Sequence, residues 1–106
     1  VLIDSHCHLN NRKLESLGGT AGVIESARNA GLSGMLTICC RIASEFPEIL
    51  DIARRNDNVW CTIGTHPHDA GLPEELAITQ DQLVKLAKSD PKIIGIGESG
   101  LDYFYK

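Results

Sequence analysis

Three short stretches of this 106-residue chain carry residue types that bind metal ions or move protons, and each follows an apolar run. His6-Cys7-His8 comes after Val1-Leu2-Ile3. Gly64-Thr65-His66-Pro67-His68 comes after Val59 to Ile63, and Gly97-Glu98-Ser99-Gly100-Leu101-Asp102 after Ile93 to Ile96. Neutral imidazole nitrogens and carboxylate oxygens are ligands for zinc and related divalent ions. Residues two apart in a strand share a face, so His6 and His8 can offer two imidazoles to one ion while Cys7 points the other way. Glu98 can bridge two cations through its two oxygens, and its glycine neighbours let backbone and ions come close. Standing alone, His-x-His also describes two solvent-facing turn histidines, and Gly-Glu an exposed loop glutamate. Their recurrence at the ends of buried-type strands favours a shared site, with His6, His8 and Glu98 as the metal ligands.

The remaining polar residues at these edges have more than one reading. His66 and His68 flank Pro67, which fixes the turn; they fit metal ligation, phosphate contact or a simple turn. His66 reads as facing substrate rather than as a ligand, and with Glu98 it is the candidate catalytic pair. His68 and Arg41 are the further candidate substrate contacts, Arg41 being equally readable as solvated. Asp4 lies two residues before His6 and is expected on the same strand face, where it would orient a ligand histidine through its second ring nitrogen; a structural aspartate at a strand end is the alternative. Asp102 either supports the site or caps a following helix.

The elements that must position these groups alternate. The hydropathy pattern predicts strands over 1–6, 34–39, 59–63 and 92–97, and helices over 21–30, 44–55 and 79–89. Ser44 is a plausible N-cap for the second helix, with Pro47 in or near its first turn, where a missing N–H matters least. Thr79 and Gln82 have capping-box spacing. Strands that are short and apolar on both faces, with helices between, describe a parallel sheet covered by helices. The longest connection, 67–78, directly follows the His-Pro-His edge, where α/β enzymes keep functional loops. A (β/α)8 barrel takes about 250 residues. The expected architecture is therefore the N-terminal half of such a barrel, one partial domain over 1–106, with four parallel strands and helices outside. A half barrel leaves two strand edges open, so self-association or pairing with a missing half is expected. A complete open four-stranded sheet is the competing reading.

Composition narrows the class. Hydrophobic residues make up 42% of the chain and charged residues 23%, ordinary values for a globular domain. The formal charge of −4 argues against a basic surface that holds nucleic acid through charge alone, though metal ions can supply positive charge to a phosphate ester. No apolar stretch approaches the roughly 20 residues of a membrane span, and the start has neither the basic nor the long apolar segment of a signal peptide. The four cysteines form no C-x-x-C pair and read as buried free thiols of a reducing, cytoplasmic setting. A soft metal site at Cys39-Cys40 is the weaker reading.

Asp4-Ser5-His6-Cys7-His8-Leu9, Gly64-Thr65-His66-Pro67-His68 and Gly97-Glu98-Ser99-Gly100-Leu101-Asp102-Tyr103 together resemble, in order and spacing, the N-terminal signature blocks of the TatD-related hydrolases. These are metal-dependent deoxyribonucleases on a TIM barrel within the amidohydrolase superfamily. The resemblance implies hydrolysis of DNA phosphodiester bonds with two divalent ions (zinc, manganese or magnesium), His6 and His8 holding one ion and Glu98 bridging to a second. It also implies two further histidine ligands and a late aspartate, the expected proton acceptor, from strands beyond the fourth. Asn10 stands where the family often has Asp, at a position that is not a ligand. The competing functions are hydrolysis of an amide, ester or lactone at the same site, and a non-catalytic metal-binding fragment.

Overall fold

The computed structural model describes residues 1–104. Four strands, β1 (Leu2–Cys7), β2 (Leu32–Thr37), β3 (Val59–Ile63) and β4 (Ile93–Ile96), form one sheet in the order β1-β2-β3-β4. Every neighbouring pair is parallel. The connections carry α1 (Gly19–Asn29), α2 (Ile42–Arg55), a one-turn α3 (Pro73–Leu76) and α4 (Gln80–Ala87), with a 3-10 turn over Arg12–Leu17. All four strands therefore end at one edge, and that edge carries His6, His8, His66 and Glu98. Among the described residues no helix is long and apolar enough to cross a membrane.

The core lies between the sheet and its helices. α2 buries Ile42, Phe46, Ile49, Leu50 and Ala53, the spacing of a single helical stripe. It meets Met35, Val59, Cys61, Ile63 and Ile93 from the strands. The opposite face of the sheet is left open at its flanks. Ile3 is 65% exposed, Ile94 59% and Ile96 58%. Parallel sheets are ordinarily covered on both faces.

Several boundaries differ from the sequence expectation, each for a local reason. α2 begins at Ile42 rather than after Ser44, and its N-cap residue, Arg41, makes no side-chain cap. The missing cap comes from elsewhere in the chain. The buried carboxylate of Glu75 accepts from the backbone N–H groups of Ile42 and Ala43, at 2.6 and 2.8 Å. A tertiary acceptor so replaced the local one that Ser44 offered. Pro47 consequently falls in the second turn of α2, inside the helix, where it removes a bond to the Ala43 carbonyl. β2 runs from Leu32 to Thr37, two residues earlier at each end than expected. The long connection is not bare loop, since it holds α3. The capping box at Thr79 and Gln82 is present as expected, with both reciprocal hydrogen bonds made.

The alternation assumed for β1 fails at the point that matters most. Asp4 pairs with Met35 and Cys7 with Thr37, so β1 advances three residues while β2 advances two. This is a β-bulge, which leaves one residue outside the ladder and re-aims its neighbours. Strict alternation therefore does not hold over the stretch from Asp4 to Cys7. Asp4 Oδ1 instead accepts from the backbone N–H of His6 at 3.0 Å, giving a partner to an amide in the bulge.

Candidate metal centre

His6 and His8 reach the sheet mouth from β1, and Glu98 reaches it from just beyond β4. Although these residues lie at opposite ends of the chain, one side-chain donor atom from each falls within 4.8 Å of the others. The His6 and His8 rings meet edge to face with centroids 5.2 Å apart. Two bonds of about 2.1 Å to one ion bring donors to within about 4.2 Å of each other, so small side-chain rotations suffice. His8 Nδ1 lies 3.3 Å from the carbonyl oxygen of Ile38. A carbonyl only accepts, so Nδ1 carries the proton and Nε2 keeps its lone pair. Ligand histidines are ordinarily fixed through their second nitrogen in this way. The donor set fits a divalent cation on that observation.

Glu98 is shared. One oxygen, Oε2, lies 3.6 Å from His6 Nε2, and the other, Oε1, lies 3.2 Å from His66 Nε2. His66 Nδ1 accepts from the backbone N–H of His68 at 3.1 Å. The proton of neutral His66 therefore sits on Nε2, directed at Glu98. In this arrangement His66 is a donor beside the carboxylate and not one of the three clustered ligand groups.

The strand ends are locked to one another by backbone. The Glu98 N–H donates to the Cys39 carbonyl at 3.0 Å, the Gly97 N–H to Ile63 at 2.9 Å and the His66 N–H to Cys40 at 2.7 Å. Thr62 Oγ1 donates to the Gly97 carbonyl at 2.7 Å and accepts from the Cys39 N–H at 3.1 Å. Gly64 is the point of closest approach. A Cβ there would fall 2.6 Å from the backbone carbon and oxygen of Gly97 and 2.8 Å from the Glu98 carbonyl oxygen. Only a residue without a side chain fits.

The other expected residues lie around this cluster. Arg41 pairs with Asp69 at 3.1 Å. His68 Nε2 lies 3.0 Å from Asp102 Oδ2, and Asp102 Oδ1 accepts from the Phe104 N–H. Asp102 thus supports His68 rather than a member of the ligand cluster. Asp4 reaches the backbone of His6, not its ring. Two groups at this edge carry no sequence signal, the Ile38 carbonyl and Glu75. The carbonyl belongs to an apolar residue and leaves no side-chain signal. Glu75 stands next to Glu74 in a connection read as loop, so its burial has no sequence mark.

All four cysteines are free. Cys40 Sγ lies 3.9 Å from His8 Nδ1, yet burial foremost pushes its thiol up to about 11. Burial likewise raises Cys39 to about 12, so both of the vicinal pair are protonated thiols at neutral pH, and neither belongs to the His6, His8 and Glu98 cluster.

Two histidines and a carboxylate thus gather at the carboxyl ends of parallel strands, the edge at which α/β enzymes place their sites. Comparison with known proteins agrees. Residues 3–106 match the TatD related DNase family, and the chain belongs to that family. It is 34% identical to an uncharacterized metal-dependent hydrolase of Buchnera aphidicola over 97% of this chain and 37% of that protein. It is 45% identical to the 3'-5' ssDNA/RNA exonuclease TatD of Erwinia amylovora over 76% of this chain and 30% of that one. The fold is shared with the crystal structure of YjjV, a TatD homolog from Escherichia coli K12. The TM-score is 0.79 at 24% identity, over 97% of this chain and 38% of that chain. The chain thus spans well under half the length of these relatives.

Proposed function

We propose that this chain supplies one part of a metal-dependent phosphodiesterase site acting on nucleic acid, with His6, His8 and Glu98 as its metal ligands. The observation that carries the reading is the convergence of these three side chains, with the His8 Nε2 lone pair left available by the Ile38 carbonyl. Relatives described as exonucleases on single-stranded DNA and RNA support the substrate class. A divalent ion held there would polarise a phosphoryl oxygen and lower the pKa of a water. The chain's own residues do the rest. Glu98 places one oxygen toward His6 and the other toward His66. His66 presents its Nε2 proton beside that carboxylate, where it can donate to a phosphate oxygen. Arg41, anchored on Asp69, is the nearby cation for the nucleic-acid backbone.

Three ligand groups make one half of a two-ion site. A second ion needs donors from further strands, which the two unpaired sheet edges and the exposed Ile3, Ile94 and Ile96 are suited to meet. Those strands come from additional chain or from a second copy. The test is a zinc or manganese titration of the purified chain, followed by a nuclease assay on single-stranded DNA and on RNA. Expected are weak binding abolished by His6→Ala and Glu98→Ala, and little or no cleavage. Robust cleavage that vanishes in these variants would overturn the half-site reading. Absence of any metal binding would overturn the proposal as a whole.

A further inference from the structure

The buried Glu75 carboxylate is used by neither the ligand cluster nor the core. It is only 6% exposed and spends both oxygens on the sheet mouth. Oε1 accepts from the Ile42 N–H at 2.6 Å and from Thr65 Oγ1 at 2.9 Å. Oε2 accepts from the Ala43 N–H at 2.8 Å. A carboxylate at a helix N-terminus gains from the unpaired N–H groups and the helix dipole. Here that helix is α2, which starts directly after the Cys39-Cys40-Arg41 turn. The hydroxyl on Oε1 belongs to the residue preceding His66. One group therefore ties three segments together: the end of β2, the end of β3 and the connection carrying α3.

That tie has a consequence for His66. Its backbone N–H is held by the Cys40 carbonyl at 2.7 Å, and its carbonyl accepts from the Asp69 N–H at 2.8 Å. Arg41 to Asp69 closes a second bridge between the same two turns. Each contact needs the β2 turn and the β3 turn at a fixed separation, and Glu75 sets it by binding both. We infer that Glu75 is a positioning residue for His66, holding its Nε2 on Glu98 through Thr65 and the first turn of α2. The inference rests on the proposed reading only in assigning His66 to the substrate phosphate; the tie itself does not depend on it. Glutamine at this position cannot replace the carboxylate. All three present partners donate, and an amide offers one acceptor oxygen and turns an NH2 donor toward the rest.

The experiment uses the whole chain with Glu75→Gln, and Thr65→Val as a second variant that leaves the α2 cap in place. Three quantities are read: order of the His6, His8 and His66 rings by 13C relaxation, affinity for zinc alone, and affinity of the zinc-loaded chain for inorganic phosphate. Expected in both variants is a His66 ring of clearly lower order, with His6 and His8 retaining theirs. Zinc affinity should fall by no more than about tenfold, the low end for loosening an outer partner of a ligand, because His66 donates to Glu98 while the three ligand groups themselves stay in place. Phosphate affinity should fall about tenfold, one lost hydrogen bond to a charged group. A His66 ring as ordered as in the parent overturns the inference. So does a Thr65→Val chain that loses order at all three histidines and zinc affinity together, since that is general loosening. Should Glu75→Gln fail to fold, Thr65→Val decides alone. Loss of His66 order with phosphate affinity unchanged supports the positioning role and overturns the assignment of His66 to phosphate.

Discussion

The ring of His8 is fixed by the backbone of Ile38, with Nδ1 3.3 Å from its carbonyl oxygen. The residues come from different strand ends, β1 and β2, and no side chain of the second one takes part. The bond selects the tautomer in which Nε2 keeps its lone pair, the atom that the proposed metal site would use.

Replacing His8 with Ala should weaken zinc binding by at least the roughly 10–100-fold that follows loss of a ligand's outer partner. His6→Ala should do the same. Competition against a chromophoric zinc chelator measures both. Affinity unchanged in either variant would remove that histidine from the site.

Gly64→Ala should destabilise the chain by about 1–3 kcal/mol, the usual range for forcing a methyl into filled space. The atoms it meets are backbone atoms of Gly97 and Glu98, so the clash cannot be relieved by a rotamer change. Urea unfolding gives the stability, and zinc affinity should drop with it as Glu98 is displaced. An alanine chain as stable as the parent would mean that these two strand ends are not so closely packed.

Asp4 separates two mechanisms. Because it accepts from the His6 N–H in the bulge, Asp4→Asn, which keeps a side-chain oxygen, should bind zinc much as the parent does. Asp4→Ala should bind about tenfold more weakly, at the low end for lost outer partners. Were Asn as damaging as Ala, the carboxylate charge and not the hydrogen bond would be what His6 requires.

Alkaline pH should unfold the chain progressively. Burial raises the Cys7 and Cys39 thiols from 9.0 to about 12 and the Cys40 and Cys61 thiols from 9.0 to about 11. Folding favours the protonated form, so this stability is fully present below about pH 9 and is lost as pH rises toward the folded values. Melting temperatures recorded through that window should fall, and thiol labelling at neutral pH should be slow until denaturant is added. A flat profile would show that the thiols are solvated in the folded chain.

Much of this protein is readable in its residues. The strands and the capping box at Thr79 follow from hydropathy period and residue type, because each is set within a few residues, and the parallel pairing follows from the helices between the strands, since a crossover connection returns the chain in the same direction. The placing of His6, His8 and Glu98 at strand ends follows too: parallel strands separated by helices all finish on one side. The expectation of four buried thiols holds for Cys39 and Cys61 alone: Cys7 and Cys40 are half-buried, and Cys39 and Cys40 lie in the turn after β2 rather than inside a strand.

What the sequence could not settle are the contacts made between distant segments. Ser44 is a sound local cap for a helix, yet α2 starts earlier because the Glu75 carboxylate, remote in sequence, satisfies its first N–H groups more completely. Strict alternation carries Asp4 toward the His6 ring, yet the pairing with β2 slips between Asp4 and Cys7 and Asp4 bonds the His6 backbone instead. The tautomer of His8 is chosen by a carbonyl, and every residue has one. Residue types determined which groups could bind a metal and at which edge they gather. Tertiary packing alone decided which lone pairs face inward and what holds them, because donors and acceptors distant in the chain become partners only when the strands are laid side by side.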